Sequence, residues 1–406
     1  MTDVFKGNFT QQEPIPEAAI EAAVDVMRHG RLHRYNVADG EAGETTLLEE
    51  EFAAQMGAPY ALAVASGGYA LATALRAVGV KPGDRVLTNA FTLAPVPGSI
   101  ASVGAQPVYV GVTEALTLDL EDLAGQLAQS DHPKVLMLSH MRGHLCDMDR
   151  LMEICDAAGV TVIEDCAHTM GARWNGTLSG RHGAVGCYSC QTYKHVNSGE
   201  GGLLVTSDEE IAARAIMLSG SYMLYSRHRA APDPEVFERV KYVTPNISGR
   251  MDNLRAAILR PQLQNLEAQV DRWNARYRRL EAGLRDTPGL TVIDRPEPEH
   301  FVGSSIQFLL LDWSADGVEE VLRRCADRGV ELKWFGAPEP VAFTSRYDSW
   351  RYADAPAMPK TDRVLAGIID MRVPLTFSLE DCDQIARIIR SEVSAVFQAG
   401  GAAPGV

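Results

Sequence analysis

Residues 134–165 read "KVLMLSHMRGHLCDMDRLMEICDAAGVTVIED", and the fold follows from how that stretch divides. "KVLMLSH" (134–140) and "VTVIED" (160–165) are apolar runs of strand length, and "DMDRLMEICDAAGV" between them carries helical periodicity. Strands that are apolar throughout, separated by a helix, describe a parallel pair covered on both faces. The alternation continues outward in both directions. "YALAVAS" (60–66), "RVLTNAF" (85–91) and "PVYVGV" (107–112) precede it, and "AVGCYSC" (184–190) and "GLLVTS" (202–207) follow. "GYALATALRAVGV" supplies another helix after the first strand. The expectation is an α/β protein built on a mostly parallel seven-stranded sheet between helices. Ligands of such sheets collect beyond the carboxyl ends of the strands.

From about Met251 the texture changes. "MDNLRAAILRPQLQNLEAQVDRWNARYRRLEAGL" is helical, with a kink or break expected near Pro261. "SSIQFLLLDW", "GVEEVLRRCADRGVELKWF" and "SLEDCDQIARIIRSEVSAVF" suggest a smaller α+β unit. The expected domains are 1–255, large and including an N-terminal segment 1–45, and 256–397, a long helix and the small C-terminal domain. The tail 398–406, "QAGGAAPGV", reads as disordered.

Composition narrows the function. The chain has 406 residues, 46% hydrophobic and 22% charged, enough for a large core. A net charge of −15 argues against nucleic acid, which needs a basic surface. No stretch has the roughly 20 apolar residues of a membrane span, and the start lacks the basic-then-apolar order of a signal peptide. Seven cysteines in apolar segments suit reduced thiols in the cytoplasm. Cys187 and Cys190 form a C-x-x-C, but no second pair follows at zinc-site spacing. They read as small buried side chains, and no metal is expected.

Three stretches carry candidate chemistry. In "ASGGYALATAL", Ser66, Gly67 and Gly68 lie between a strand and a helix start, where backbone N–H groups can approach a phosphate. In "IEDCAHTMGA", Asp165 closes an apolar strand, and a buried carboxylate there calls for a cation. His168 follows three positions on, as a ligand contact or a core residue. In "CYSCQTYKHVNSGEGG" (187–202), Lys194 lies between an apolar approach and a glycine-rich exit.

A lysine at its ordinary pKa of about 10.4 is protonated at neutral pH and is no nucleophile. Joined to a bound aldehyde it becomes reactive. A cofactor with an aldehyde, a phosphate and a pyridine nitrogen uses all three stretches. Lys194 takes the aldehyde, the Ser66–Gly68 turn with Ser189 the phosphate, and Asp165 the pyridinium. That cofactor is pyridoxal 5′-phosphate (PLP). An anion about 4 Å from the ring nitrogen stabilises its protonated form by roughly 4 kcal/mol at an effective dielectric of 20. The protonated ring is what accepts electrons. Lys194, once released, is placed to carry a proton.

On these motifs the sequence resembles the DegT-type sugar aminotransferases, which are fold-type I PLP-dependent transferases, over about residues 45–395. The family pattern of E-D, A-Q-A-x-G-A, then S-F-x-x-x-K and G-E-G-G is matched by "EDCAHTMGA" and "SCQTYKHVNSGEGG". "SGRMDNLRAAILRPQL" and "RVPLTFSLEDCDQI" are similar to its later segments. The resemblance implies Lys194 as the Schiff-base lysine, Asp165 at the ring nitrogen, and Ser189, Gly67 and Gly68 at the phosphate. It implies a homodimer with shared active sites, in which an asparagine of the neighbouring chain reaches the phosphate. Aligned on Arg250, that position is Ser248, with Asn246 two residues earlier. His168 stands where the family has glutamine, Gly68 where it has threonine, and Leu93 where an aromatic residue stacks on the ring. Gln191 resembles the branch acting on keto-cyclitols and aminohydroxybenzoate precursors.

The function implied is transfer of an amino group from glutamate or glutamine to a keto-sugar or keto-cyclitol. A PLP-dependent lyase or dehydratase of a hydroxylated ring ketone is the alternative, although the family's dehydratases replace the lysine by histidine. A catalytically silent binding module is a third reading. Arg34 and Tyr35 in "HGRLHRYNVADGEAGETT", and Arg229 in "SYMLYSRHRAAPDPEVFERVKY", are candidate substrate contacts. Glu200 reads as part of the turn.

Overall fold

The computed structural model describes residues 3–38 and 40–401. The central sheet is formed by β1 (Tyr60–Val64), β2 (Arg85–Asn89), β3 (Gln106–Val110), β4 (Val135–Ser139) and β5 (Thr161–Asp165), followed, after the hairpin β6 (Arg173–Trp174) and β7 (Thr177–Leu178), by β8 (Val185–Ser189) and β9 (Gly202–Thr206). Its seven strands lie in the order β1-β9-β8-β5-β4-β2-β3. From β3 to β8 every pairing is parallel, and β9 runs antiparallel between β8 and β1.

Each strand is apolar because each buries both faces. Ala61, Leu136, Leu138, Val162 and Leu203 belong to one buried cluster. Their neighbours Leu62, Val135, Met137, Ile163 and Leu204 belong to another. Successive side chains of a strand point to opposite faces, so two dry layers require an unbroken apolar run. The connecting helices carry their own start signals. Asp147 accepts from Arg150 N at 3.0 Å and starts the Met148–Ala158 helix, which ends at Gly159 with φ +63°. Ser66 accepts from Tyr69 N at 3.1 Å and starts the Gly67–Ala77 helix.

The second sheet has the order β10-β12-β14-β13, all antiparallel, with β10 (Thr291–Val292), β12 (Ser305–Leu309), β13 (Lys333–Trp334) and β14 (Ile368–Arg372). The short β11 (Glu299–His300) pairs instead with β6. Helices Leu266–Leu284, Ala315–Asp327 and Leu379–Gln398 pack on this sheet through Tyr277, Leu284, Val321 and Ile385. Pro261 lies inside the Asn253–Gln264 helix, and the break falls at Asn265, where φ is −101° and ψ 4°. The start of the tail, as far as it is described, is bonded to its surroundings. Gln398 ends a helix, Gly401 N donates to Val396 O at 3.0 Å, and Gly401 O accepts from Ser314 Oγ at 3.2 Å. Those bonds satisfy helix-end groups that a loose tail would leave open; residues 402–406 lie outside the described residues. Among the described residues, no helix is long and apolar enough to cross a membrane.

Candidate active site

Lys194 sits on an excursion between β8 and β9 whose two ends meet, because Ser189 pairs with Gly202. Backbone bonds lace it: Cys190 N to Gly201 O at 2.8 Å, Ser198 N to Cys190 O at 3.1 Å and Lys194 N to Gln191 O at 2.8 Å. Gln191 Oε1 accepts from Tyr193 N at 2.9 Å, so this side chain shapes the turn around the lysine. Gly202 is required by packing, since a Cβ there would fall 2.3 Å from Ser66 O.

The lysine amine lies 2.7 Å from His168 Nε2. His168 Nδ1 accepts from the backbone N–H of Arg142 at 3.3 Å. With Nδ1 accepting, the neutral ring carries its proton on Nε2 and donates it to the amine. The acceptor must then be a neutral Lys194. Burial first, and then the Arg142 guanidinium, push the lysine down to about 7, against the opposing charge of Asp165. Burial, followed by Lys194 and Arg142, holds the imidazole well below its usual value. The backbone at Arg142 is left-handed, with φ +55°, and this turn presents the N–H to His168.

Asp165 closes β5, with Oδ2 accepting from Ser139 Oγ at 3.1 Å and Oδ1 from Ala167 N at 3.2 Å. Burial raises its pKa, and Lys194 opposes that rise. A cation placed against it would relieve the cost of desolvation. Glu164, one residue earlier, points to the opposite face and anchors the loop before β8. It accepts from His140 Nε2 at 2.9 Å and from the N–H groups of Gly180, His182 and Gly183 at 2.7 to 2.8 Å.

A cavity of about 400 Å³ joins these groups, lined among others by Gly67, Gly68, Asp165, His168, Ser189 and Lys194. Leu93 and Gln191 also line it, and so does Glu200, which the sequence suggested only as a turn residue. Gly67 must be glycine, because a Cβ would lie 2.8 Å from Ser189 Cβ, whereas at Gly68 nothing lies within 4 Å. The N–H groups of Gly67 and Gly68, at the start of the Gly67–Ala77 helix, have no acceptor within the helix, while that of Tyr69 is held by Ser66. With the Ser189 hydroxyl they form a cradle whose chemistry suits a phosphate. The amine, the carboxylate and the cradle therefore fit PLP.

Five expected positions lie elsewhere. Arg34 is fully buried and forms two 2.8 Å bonds with Glu49 of the Glu44–Met56 helix. Tyr35 Oη lies 2.7 Å from His228 Nε2. A buried acid has claimed the arginine, and neither residue lines this chain's cavity. Arg229 lies 3.6 Å from Glu50 at the surface. Asn246 and Ser248 are exposed and do not line this chain's cavity; Asn246 Oδ1 accepts from Tyr222 N at 2.8 Å.

Sequence reasoning missed the cavity's cations. Arg142, Lys333 and Arg372 line it from the turn after β4, from β13 and from β14. Arg142 follows the carboxyl end of a parallel strand, a position that could have flagged it. Lys333 and Arg372 come from the second sheet, and no local pattern marks them. Tyr193, Lys194, Ser304 and Arg372 also border an adjoining cavity of about 110 Å³, which reaches Gln12 and Trp273.

Fold and cavity together define a PLP-dependent transferase of the fold-type I class. A family model for the DegT/DnrJ/EryC1/StrS aminotransferases matches residues 15–390, and the chain belongs to that family, which is PLP-dependent. Over 292 residues it is 30% identical to a putative L-glutamine:3-amino-2,3-dideoxy-scyllo-inosose aminotransferase of Streptomyces kanamyceticus, covering 71% of this chain and 67% of the relative. It is 35% identical over 243 residues to the 3-amino-5-hydroxybenzoate synthase of Amycolatopsis mediterranei, covering 59% of this chain and 60% of that relative. These matches leave a third or more of each relative's length unaligned. A crystal structure of 3-amino-5-hydroxybenzoic acid synthase superposes with a TM-score of 0.80 at 26% identity, covering 97% of this chain and all of that one.

Proposed function

We propose that the protein is a PLP-dependent aminotransferase that moves an amino group from glutamate or glutamine to a keto-sugar or keto-cyclitol. The reading rests on one observation above all: the Lys194 amine and the Asp165 carboxylate line the same cavity as the Gly67–Gly68 turn. When bound, PLP supplies an electron-accepting ring that stabilises the carbanion left by loss of a substrate α-proton.

The rest falls to side chains of this chain. Asp165, held by Ser139 and Ala167, would supply the anion for the ring nitrogen. Gly67, Gly68 and Ser189 would hold the phosphate, and Leu93, which lines the same cavity, would offer the ring an apolar contact. Lys194, depressed to about 7, is partly neutral at physiological pH, so its Nζ would be available to hold the cofactor aldehyde and, when free, to carry a proton. His168 holds the released amine through Nε2.

Asn246 and Ser248 serve the phosphate of a second copy. The face around them supports a homodimer, for Tyr222, Met223, Tyr242 and Val243 are 55% to 82% exposed there. The test is Lys194→Ala. The variant should fold, lose the visible absorption of the lysine-bound cofactor, and not turn over with glutamine and a keto-cyclitol. Transamination by that variant at the wild-type rate would end the reading.

A further inference from the structure

The cavity holds more positive charge than cofactor binding uses. Arg142 is nine-tenths buried, and its Nη2 lies 3.0 Å from Asp370 Oδ2, out of line for a hydrogen bond. Its Nε has no acceptor among the described residues. Arg372 lies flat on Tyr193, 3.4 Å from the ring centroid, and Lys333 lies 5.7 Å from the Phe343 ring. Among the described residues neither Arg372 nor Lys333 has a salt-bridge partner. Asp370 lies beside the cluster, and its Oδ1 already accepts from Gln307 at 2.7 Å, while Glu331 also acts on Lys333. The acids that line the cavity, Asp165 and Glu200, come from β5 and the GEGG turn.

Strand order places the cluster. The glycine turn follows β1 and Ser189 ends β8, Asp165 ends β5, and Arg142 follows β4. Arg142 thus lies beyond Asp165, on the side away from the phosphate cradle. Burying a guanidinium whose Nε and Nη2 make no hydrogen bond, and whose one ion pair is with Asp370, is costly unless a further anion arrives to share the site.

We propose that Arg142, Lys333 and Arg372 form a carboxylate-binding subsite in the substrate half of the cavity. A planar carboxylate matches a guanidinium fork, and two further cations accept a second charge or water-bridged contact. The inference rests on the aminotransferase reading, which gives the carboxylate two sources. It is either the donor amino acid's own group or an acid on the ring of the ketone acceptor.

The experiment measures binding of glutarate, an inert acyclic diacid, and of benzoate, a ring acid, to cofactor-loaded protein by calorimetry. Arg372→Gln and Lys333→Gln are the principal variants, since both side chains are partly exposed; Arg142→Gln, which strands Asp370, is the third. The cofactor's visible spectrum is recorded for each protein, so failure of the aminotransferase reading is seen separately as failure to take up PLP. The expected result is a loss of at least about tenfold in affinity, the scale of one charge-assisted hydrogen bond. A loss confined to glutarate assigns the subsite to the donor, and a loss confined to benzoate assigns it to an acidic acceptor. Unchanged affinity for both acids in folded, cofactor-loaded variants overturns the proposal.

Discussion

Lys194 is reactive because burial and Arg142 both disfavour its charge, and His168 donates to the neutral amine that results. Uptake of PLP by the cofactor-free protein should therefore accelerate as pH rises through about 7 and level off above it, read by stopped-flow absorbance. Arg372→Gln removes a charge that helps depress the amine, so it should move that midpoint upward. The same shift governs stability. Folded Lys194 loses its proton near 7, whereas in the unfolded chain it holds it to about 10.4, so between those values the unfolded state binds more protons. The residue's contribution therefore becomes less unfavourable as pH rises, by at most about 1.4 kcal/mol per pH unit. In the cofactor-free protein, Lys194→Met should gain its largest stability advantage at pH 7 and lose it by pH 10, measured by urea denaturation. A pH-independent difference would show that the amine is not depressed. Lys194 and Asp165 were legible in the sequence because strand end and glycine turn are local signals. The bond between His168 and Lys194 was not, since it depends on a left-handed residue that follows a different strand.

At the level of elements, the cradle is set by how closely two strand ends approach. Gly67→Ala would place a methyl group 2.8 Å from Ser189 Cβ, while Gly68→Ala meets open space. The first substitution should weaken PLP binding by about tenfold or more, and the second should do so less, as measured by fluorescence titration. Equal effects would mean that contact with Ser189 does not set the turn. The seven strands were read to within a residue or two because both faces of each are buried, which leaves a continuous apolar signature. The burial of Arg34 and Tyr35 was not legible for a matching reason. Their stretch looks like a polar loop, and of the partners that bury them, Glu49 lies on the next helix and His228 is 193 residues from Tyr35. The break expected near Pro261 falls at Asn265, because the helix absorbs the missing donor and ends a turn later.

For the whole molecule, the division of labour between two copies is the sharpest expectation. Asn246 and Ser248 are exposed at a distance from their own cavity, beside Tyr242, which is 82% exposed. Mixing inactive Lys194→Ala with an inactive Asn246→Ala, Ser248→Ala protein should restore turnover, because one site of each mixed dimer is intact. Tyr242→Asp with Val243→Asp should give monomers by sedimentation. Absence of rescue, with both proteins dimeric, would place the phosphate contacts within one chain. The lysine loop has a consequence for all such tests. Its two stems share one rung of the sheet, at Ser189 and Gly202, so the reactive segment begins and ends at the same point of the scaffold. Its anchors stay in place whatever side chain occupies its crest. The segment behaves as an interchangeable cassette, and the reaction could be rewritten there while the surrounding architecture folds unchanged.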